Sequence, residues 1–117
     1  MSGESVIDVQ VFNELKQNVG DDFIGELLDT YFADASKLFA EMKQALTAGD
    51  VEKFRRASHS LKSNSANFGA LHLAAQAREL EMMARAGTLA GATEQVAQAE
   101  QSYAHVRAAL EKLRQAV

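Results

Sequence analysis

Apolar residues recur every three or four positions along most of the chain, which is the spacing of an amphipathic α-helix. No two-residue alternation typical of strands competes with this pattern. Glycines interrupt it at positions 20, 49, 69, 87 and 91. The pattern therefore predicts helices over about Asp8–Asn18, Asp22–Ala48, Val51–Phe68, Leu71–Arg85 and Val96–Val117.

The second segment is the longest, and its wide apolar face suggests contact with more than one neighbouring helix. Asp21 or Asp22 is a suitable N-cap for it, and Asp50 for the third helix. Short links between helices favour antiparallel neighbours. The predicted fold is therefore all-α, an up-down antiparallel four-helix bundle with a short extra N-terminal helix. We expect one domain over residues 1–117, with residues 1–5 disordered and the core bundle over about 8–117.

The last helix has the most regular apolar stripe, alternating in steps of three and four from Val96 to Val117. Such a stripe packs inside a bundle or forms the seam of a coiled-coil dimer. It spans barely three heptads and contains alanine, so packing within the chain is the favoured interpretation.

Composition narrows the class of protein. The 117 residues include no proline and no cysteine, and the formal net charge is -4. These values favour helices, exclude disulfide and thiolate chemistry, and argue against a general nucleic-acid surface. No apolar run reaches the roughly 18 residues of a membrane span, and the N-terminus lacks a secretory pattern. We expect a soluble cytoplasmic protein with no membrane partner.

One histidine of the third helix lies away from the predicted core. On a wheel of roughly 100° per residue, the core stripe centres near Phe54 and Leu61, and His59 lies roughly 140° from it. Arg55 and Lys62 are its neighbours at helical spacing. The pattern predicts an exposed imidazole flanked by positive charge, with small residues beyond it.

This arrangement suits a nucleophile that another protein must reach. Neutral imidazole is nucleophilic, and the cations Arg55, Arg56 and Lys62 disfavour a further positive charge on it. A phosphoryl group on a ring nitrogen would bring negative charge that Lys62 could stabilise by a charge-assisted hydrogen bond. The small side chains of Ser63 and Ala66 leave room for the partner.

The other two histidines, His72 and His105, are interpreted as ordinary surface residues. They are too far from His59 and from each other in the sequence to form a helical ligand pair, and no cysteine joins them. We therefore predict no metal site in this chain.

The run from His59 to Ala70, HSLKSNSANFGA, closely resembles the signature of histidine-containing phosphotransfer (Hpt) domains. That signature is a histidine, a lysine three positions later, small residues, then an apolar residue and glycine. The resemblance extends over almost the whole chain, including the long second helix and the segment Arg78–Glu81. It implies that His59 is phosphorylated, that Lys62 stabilises the phosphate, and that Gly69 ends the third helix.

Two positions depart from the family pattern. Ser63 stands where many members have glycine, and its small size should preserve close docking. Glu81 occupies the position where some members carry a glutamine near the phosphohistidine. A carboxylate does not favour a phosphate, so that role is not assigned to Glu81, and Arg78 is the residue of the fourth helix expected to face the site. The expected supporting and docking residues are Arg55, Arg56, Ser63, Ala66, Gly69 and Arg78.

The resemblance implies a phosphocarrier rather than an autonomous kinase. His59 would accept a phosphoryl group from the phosphoaspartate of one receiver domain, that of a hybrid histidine kinase, and pass it to a second, that of a response regulator. The chain would need no cofactor, because Mg²⁺ would belong to the receiver. We expect a monomer that docks transiently, through an apolar patch around His59 drawn from the first two helices.

Three alternatives stay open. A kinase fragment would need a nucleotide site, and no glycine-rich motif is present. An excised module of a larger hybrid kinase would have the same sequence features, although Met1 and a complete bundle favour a stand-alone protein. A helical interaction module without chemistry is the third reading.

Overall fold

Five α-helices account for most of residues 6–115, the part of the chain that the computed structural model describes. They are α1 (Val9–Val19), α2 (Asp21–Ala48), α3 (Val51–Asn67), α4 (Leu71–Arg85) and α5 (Ala92–Gln115). The first four match the predicted segments closely, and α5 begins earlier than its apolar stripe. The predicted disorder of residues 1–5 and the final stripe position, Val117, lie outside the described residues.

The helix starts show where local sequence rules succeed and fail. Asp50 caps α3 as predicted, because its carboxylate accepts the N–H of Lys53 at 3.0 Å. The prediction for α2 was wrong: Gly20 is its N-cap, and Asp21 and Asp22 occupy the first turn. The positive φ of Gly20, +89°, lets α1 and α2 follow each other with a single residue between them. The two acidic side chains still favour the positive end of the helix dipole.

Four helices close into a bundle. Each of α2, α3, α4 and α5 packs against its neighbour in the sequence, and α5 returns to pack against α2. The short helix α1 packs on α2 and α3. This is the predicted up-down four-helix bundle with an extra N-terminal helix.

The core lies along the stripes that the sequence predicted. In α5, Val96, Ala99, Val106 and Leu110 are buried inside this one chain, so intramolecular packing is confirmed for the stripe. The apolar periodicity of α2 also places Phe23 on the stripe with Leu27 and Tyr31, but its side chain is 59% exposed, while Ile24 and Leu28 are buried.

Helix α3 is fixed to α2 by a neutral, buried contact. The hydroxyls of Tyr31 and Ser65 are hydrogen bonded at 2.8 Å, and the rings of Tyr31 and Phe68 stack with centroids 4.8 Å apart. Burial raises the pKa of Tyr31, so its hydroxyl stays protonated. This contact is part of the interface that packs α3 against α2.

Gly69 joins the end of α3 to the start of α1. Its carbonyl accepts the N–H of Asp8 at 2.8 Å, and its φ is +83°. A Cβ added at Gly69 would lie 2.6 Å from the carbonyl oxygen of Asp8. Gly69 is buried, so the structure removes it from the predicted docking surface and gives it a structural role.

Within residues 6–115, none of the helices has the length and apolar character needed to span a bilayer.

Candidate functional site

His59 lies on the outward face of α3, as the helical wheel predicts. Its side chain is 52% exposed, whereas the residues on the opposite face of the same helix, Phe54 and Leu61, are fully buried. The imidazole lies against α4 rather than pointing freely into solvent. Its neighbours on α4 therefore determine its chemistry.

The neighbour that matters most is Glu81. Its Oε2 lies 2.9 Å from Nδ1 of His59, and its Oε1 accepts a hydrogen bond from Nζ of Lys62 at 2.8 Å. Nη2 of Arg85, one turn further along α4, donates to Oε2 at 3.3 Å. We call His59, Lys62, Glu81 and Arg85 the α3–α4 cluster.

The carboxylate of Glu81 is almost entirely buried, since only 3% of its side chain is exposed. Burial alone would raise its pKa, but hydrogen bonds from Lys62, His59 and Arg85 outweigh burial and lower the pKa to about 2. Glu81 is therefore ionised at neutral pH and can only accept hydrogen bonds.

The ionised carboxylate assigns the proton on the imidazole. Because Glu81 has no proton to donate, the 2.9 Å contact requires that Nδ1 of His59 carries the hydrogen. In the neutral ring the lone pair is then on Nε2, the nitrogen away from α4. The site thus presents one nucleophilic nitrogen on a half-exposed side chain, with its ring orientation fixed from behind.

Lys62 is less free than the sequence suggests. Its side chain is 31% exposed, and its ammonium group already bonds Glu81 at 2.8 Å. An ammonium has three donors, so Lys62 can contact Glu81 and a further anion at the same time. The structure brings Lys62 and His59 onto the same carboxylate, which sequence spacing alone did not predict.

Among the described residues, neither of the two neighbouring arginines of α3 is hydrogen bonded to His59. Arg55 forms a two-pronged ion pair with Glu52, both bonds being 2.7 Å, and this hydrogen bonding raises the pKa of Arg55 and lowers that of Glu52. Arg56 is exposed and lines a groove between α2 and α3 together with Glu41 and Ser60. Both remain near the site as positive charge on its rim.

The remaining predicted residues divide by exposure. Ser63 is exposed and Ala66 is half-buried. Both side chains are small, so the surface of α3 beyond His59 leaves room for a partner. Arg78 is exposed, and within residues 6–115 it makes no hydrogen bond to Glu81 or His59. The arginine of α4 that reaches the cluster is Arg85, on the other side of Glu81. That Arg78 faces the site stays a prediction.

Sequence reasoning placed Glu81 near His59 without assigning it a role and missed Arg85, although a signal for both was present. Glu81 follows Ala77 by four positions and so falls within the buried stripe of α4. A glutamate in a buried stripe requires cationic partners, because an unpaired buried charge is strongly unfavourable. Arg85, four positions later, is the partner expected from helical spacing.

The other histidines are exposed, His72 at the start of α4 and His105 on α5. Among the described residues, no group of three or more His, Cys, Asp or Glu side chains is arranged to hold a metal ion. The expectation that the chain works without a cofactor stays a prediction.

Exposed apolar side chains lie on three helices. Val9 and Phe23 lie at the starts of α1 and α2, the helices from which the docking patch was expected, and Leu71 and Met82 of α4 are exposed as well. That such a patch surrounds His59 stays a prediction. Met82 follows Glu81 directly, so α4 also contributes apolar surface beside the cluster.

Comparison with known proteins agrees with this geometry. The Hpt domain family matches residues 26–116, which include all of α3 and α4. The chain belongs to the Hpt family. Its fold superposes on the crystal structure of histidine-containing phosphotransfer protein B (HptB) from Pseudomonas aeruginosa PAO1 with a TM-score of 0.90 and 36% identity, over 96% of each chain.

Two curated relatives place the Hpt fold in different settings. Sensor protein TorS of Escherichia coli (strain K12) is 34% identical over 76 residues, which are 65% of this chain and only 8% of TorS. Phosphorelay protein LuxU of Vibrio harveyi is 27% identical over 84 residues, 72% of this chain and 74% of LuxU. The similar region is thus a small part of a sensor protein and most of a phosphorelay protein.

Proposed function

We propose that this chain is a phosphorelay intermediate that carries a phosphoryl group on Nε2 of His59. It accepts the group from the phosphoaspartate of one receiver domain and gives it to the aspartate of another. The observation that carries the proposal is the contact between Nδ1 of His59 and the ionised Glu81, on a half-exposed imidazole. It leaves Nε2 as the nitrogen that can form a bond.

The transfer step is a displacement at phosphorus. The lone pair of Nε2 forms the N–P bond, the O–P bond of the aspartyl phosphate breaks, and its electron pair returns to the receiver carboxylate. Beyond supplying the nucleophile, this chain positions the imidazole and stabilises the charge of the phosphoryl group. Lys62 stands beside the ring with donors that can reach the phosphoryl oxygens.

The chain contributes a phosphocarrier and the receiver contributes the rest of the chemistry, including Mg²⁺. Family membership and the relatives named as phosphorelay or phosphotransfer proteins support this division. We propose that the chain acts in the cytoplasm as a monomer without kinase activity of its own. Docking with receivers should be brief and small, near or below about 1,200 Å² of buried surface.

The decisive experiment replaces each histidine in turn. Purified wild type, His59→Gln, His72→Gln and His105→Gln are mixed with a receiver carrying labelled phosphoaspartate. We expect complete loss of labelling in His59→Gln and full labelling in the two controls. Full labelling of the controls would show that neither His72 nor His105 is the acceptor. Labelled His59→Gln would contradict the proposal.

The same assay separates the alternatives. A chain that binds receivers but takes up no phosphate would be an interaction module. A wild-type chain that labels itself with ATP alone would be a kinase. Neither result is expected, because the His59 site contains a nucleophile but the chain has no glycine-rich nucleotide motif.

A further inference from the structure

Glu81 is the feature of the site that a simple phosphate-binding role does not explain. A buried carboxylate one imidazole ring away from an incoming phosphoryl group adds negative charge where negative charge is about to arrive. It also accepts one hydrogen bond from each of Lys62 and Arg85, the two cations of the cluster. Glu81 therefore does not serve to hold phosphate, and its contact with Nδ1 indicates another purpose.

We infer that Glu81 is a positioning residue that keeps the proton on Nδ1 of phosphorylated His59 and thereby keeps the phosphoryl group transferable. This inference rests on the proposed function. When Nε2 bonds phosphorus and Nδ1 keeps its hydrogen, the ring carries a positive charge. The carboxylate 2.9 Å away stabilises that charge.

The proton on Nδ1 decides how well the ring leaves. When the N–P bond breaks, its electron pair returns to Nε2. If Nδ1 is protonated, the product is neutral imidazole, a weak base and a good leaving group. If Nδ1 has lost its proton, the product is the imidazolate anion, a far poorer leaving group. By holding the proton, Glu81 favours onward transfer over storage.

Three cations surround the pair formed by His59 and Glu81. Lys62 and Arg85 contact the carboxylate directly, and Arg55 of α3 is close enough to Glu81 for their charges to interact. Within residues 6–115, α2 adds no charged group at hydrogen-bond distance from His59 or Glu81; its Glu41 lies in the groove with Arg56. Lys62 and Arg85 keep Glu81 ionised, which the proposed role requires.

The test measures how long phosphohistidine survives as pH is varied. In wild type, loss of the phosphoryl group should be fast while Nδ1 keeps its proton and should slow as pH rises past a midpoint. In Glu81→Gln the neutral amide holds the proton less well, so the midpoint should move to lower pH by about one unit, with about tenfold longer survival at neutral pH. Glu79→Gln, which removes an exposed charge from the same helix, should leave the midpoint unchanged.

A double variant distinguishes the effect of the Nδ1 proton from the effect of the neighbouring cations. Glu81→Gln also releases Lys62, which could itself prolong the phosphohistidine. The midpoint shift should persist when Glu81→Gln is combined with Lys62→Ala. Disappearance of the shift there, or an unchanged midpoint in Glu81→Gln, would overturn the inference. If neither wild type nor any of these variants is labelled at His59, the result contradicts the proposed function rather than this inference.

Wild type alone provides a check that does not depend on the folding of a variant. The ¹⁵N resonances of the His59 ring in the phosphorylated protein report which nitrogen carries hydrogen. We expect a protonated Nδ1 at neutral pH. A bare Nδ1 would contradict the inference.

Discussion

The contacts that α3 makes with α2 and with α4 differ in charge and in burial. Towards α2, the contact is neutral and buried: the hydroxyls of Tyr31 and Ser65 are hydrogen bonded at 2.8 Å, and Phe68 stacks on the tyrosine ring. Towards α4, the contact is charged and half-open to water, with Glu81 beneath His59. The first side packs the helix into the bundle, and the second carries the reactive groups.

The comparison predicts that changes on the two sides will have different consequences. Substitutions facing α2 should lower the free energy of unfolding and leave the reaction of His59 intact while the protein is folded. Substitutions in the α3–α4 cluster should change transfer with a smaller effect on stability. The following four expectations test that division, from the largest effect on stability to the smallest.

Phe68→Ala should cause the largest loss of stability. The ring is buried, and its removal leaves a cavity beside Tyr31, which typically costs about 3–5 kcal/mol. Denaturant unfolding measures this loss. Phosphoryl uptake per folded molecule, assayed at low temperature, should match wild type. Loss of uptake in the folded variant would show that the two sides are not independent.

Tyr31→Phe should have a moderate effect. It removes the hydroxyl that pairs with the fully buried Ser65, and an unsatisfied buried hydroxyl costs about 1–3 kcal/mol. Tyr103→Phe is the matched control, because that hydroxyl is half-buried and its contact with the Phe32 carbonyl is longer, 3.4 Å. Equal losses in the two variants would contradict the weight given to the Tyr31–Ser65 pair.

Lys62→Ala should lower stability by about 1 kcal/mol, because the buried Glu81 loses one of its three donors. Transfer to His59 should slow about tenfold, because the phosphoryl group loses one charge-assisted hydrogen bond. Stopped-flow or quench kinetics with a labelled receiver measure the rate. Lys53→Ala, at the other end of α3, serves as the control, and unchanged kinetics in Lys62→Ala would argue against its role.

Arg85→Ala should have the smallest effect, at most about 0.5 kcal/mol, since the side chain is 62% exposed and its bond to Glu81 is long. It should still change the survival of phosphohistidine measurably, whereas Arg78→Ala should change nothing. The reverse result would favour Arg78 over Arg85 as the arginine of the site.

The fold was predictable because it depends on regular spacing. The stripes of α2 and α5, the Asp50 cap and the outward position of His59 all follow from helical periodicity and side-chain chemistry. Phe23 and the Gly20 cap did not follow, because they depend on how a helix end sits against its neighbours.

The site was predictable only within one helix. His59 and Lys62 share α3, so their proximity follows from their spacing. The contact of both with Glu81 depends on the relative rotation and offset of α3 and α4, which the spacing within each helix does not contain. For the same reason Gly69 was assigned to the surface, although its carbonyl and the N–H of Asp8 are joined across the end of the bundle.

That joint between Asp8 and Gly69 has a consequence for the order of folding. Helices α2 and α3 are adjacent in the chain and close only a short loop when they pair. The hydrogen bond of Asp8 to Gly69 instead encloses all of α1, α2 and α3, so its entropic cost of closure is greater. We therefore expect it to form once the α2–α3 pair is in place. The first helix in the sequence is therefore expected to dock after the hairpin that carries the histidine.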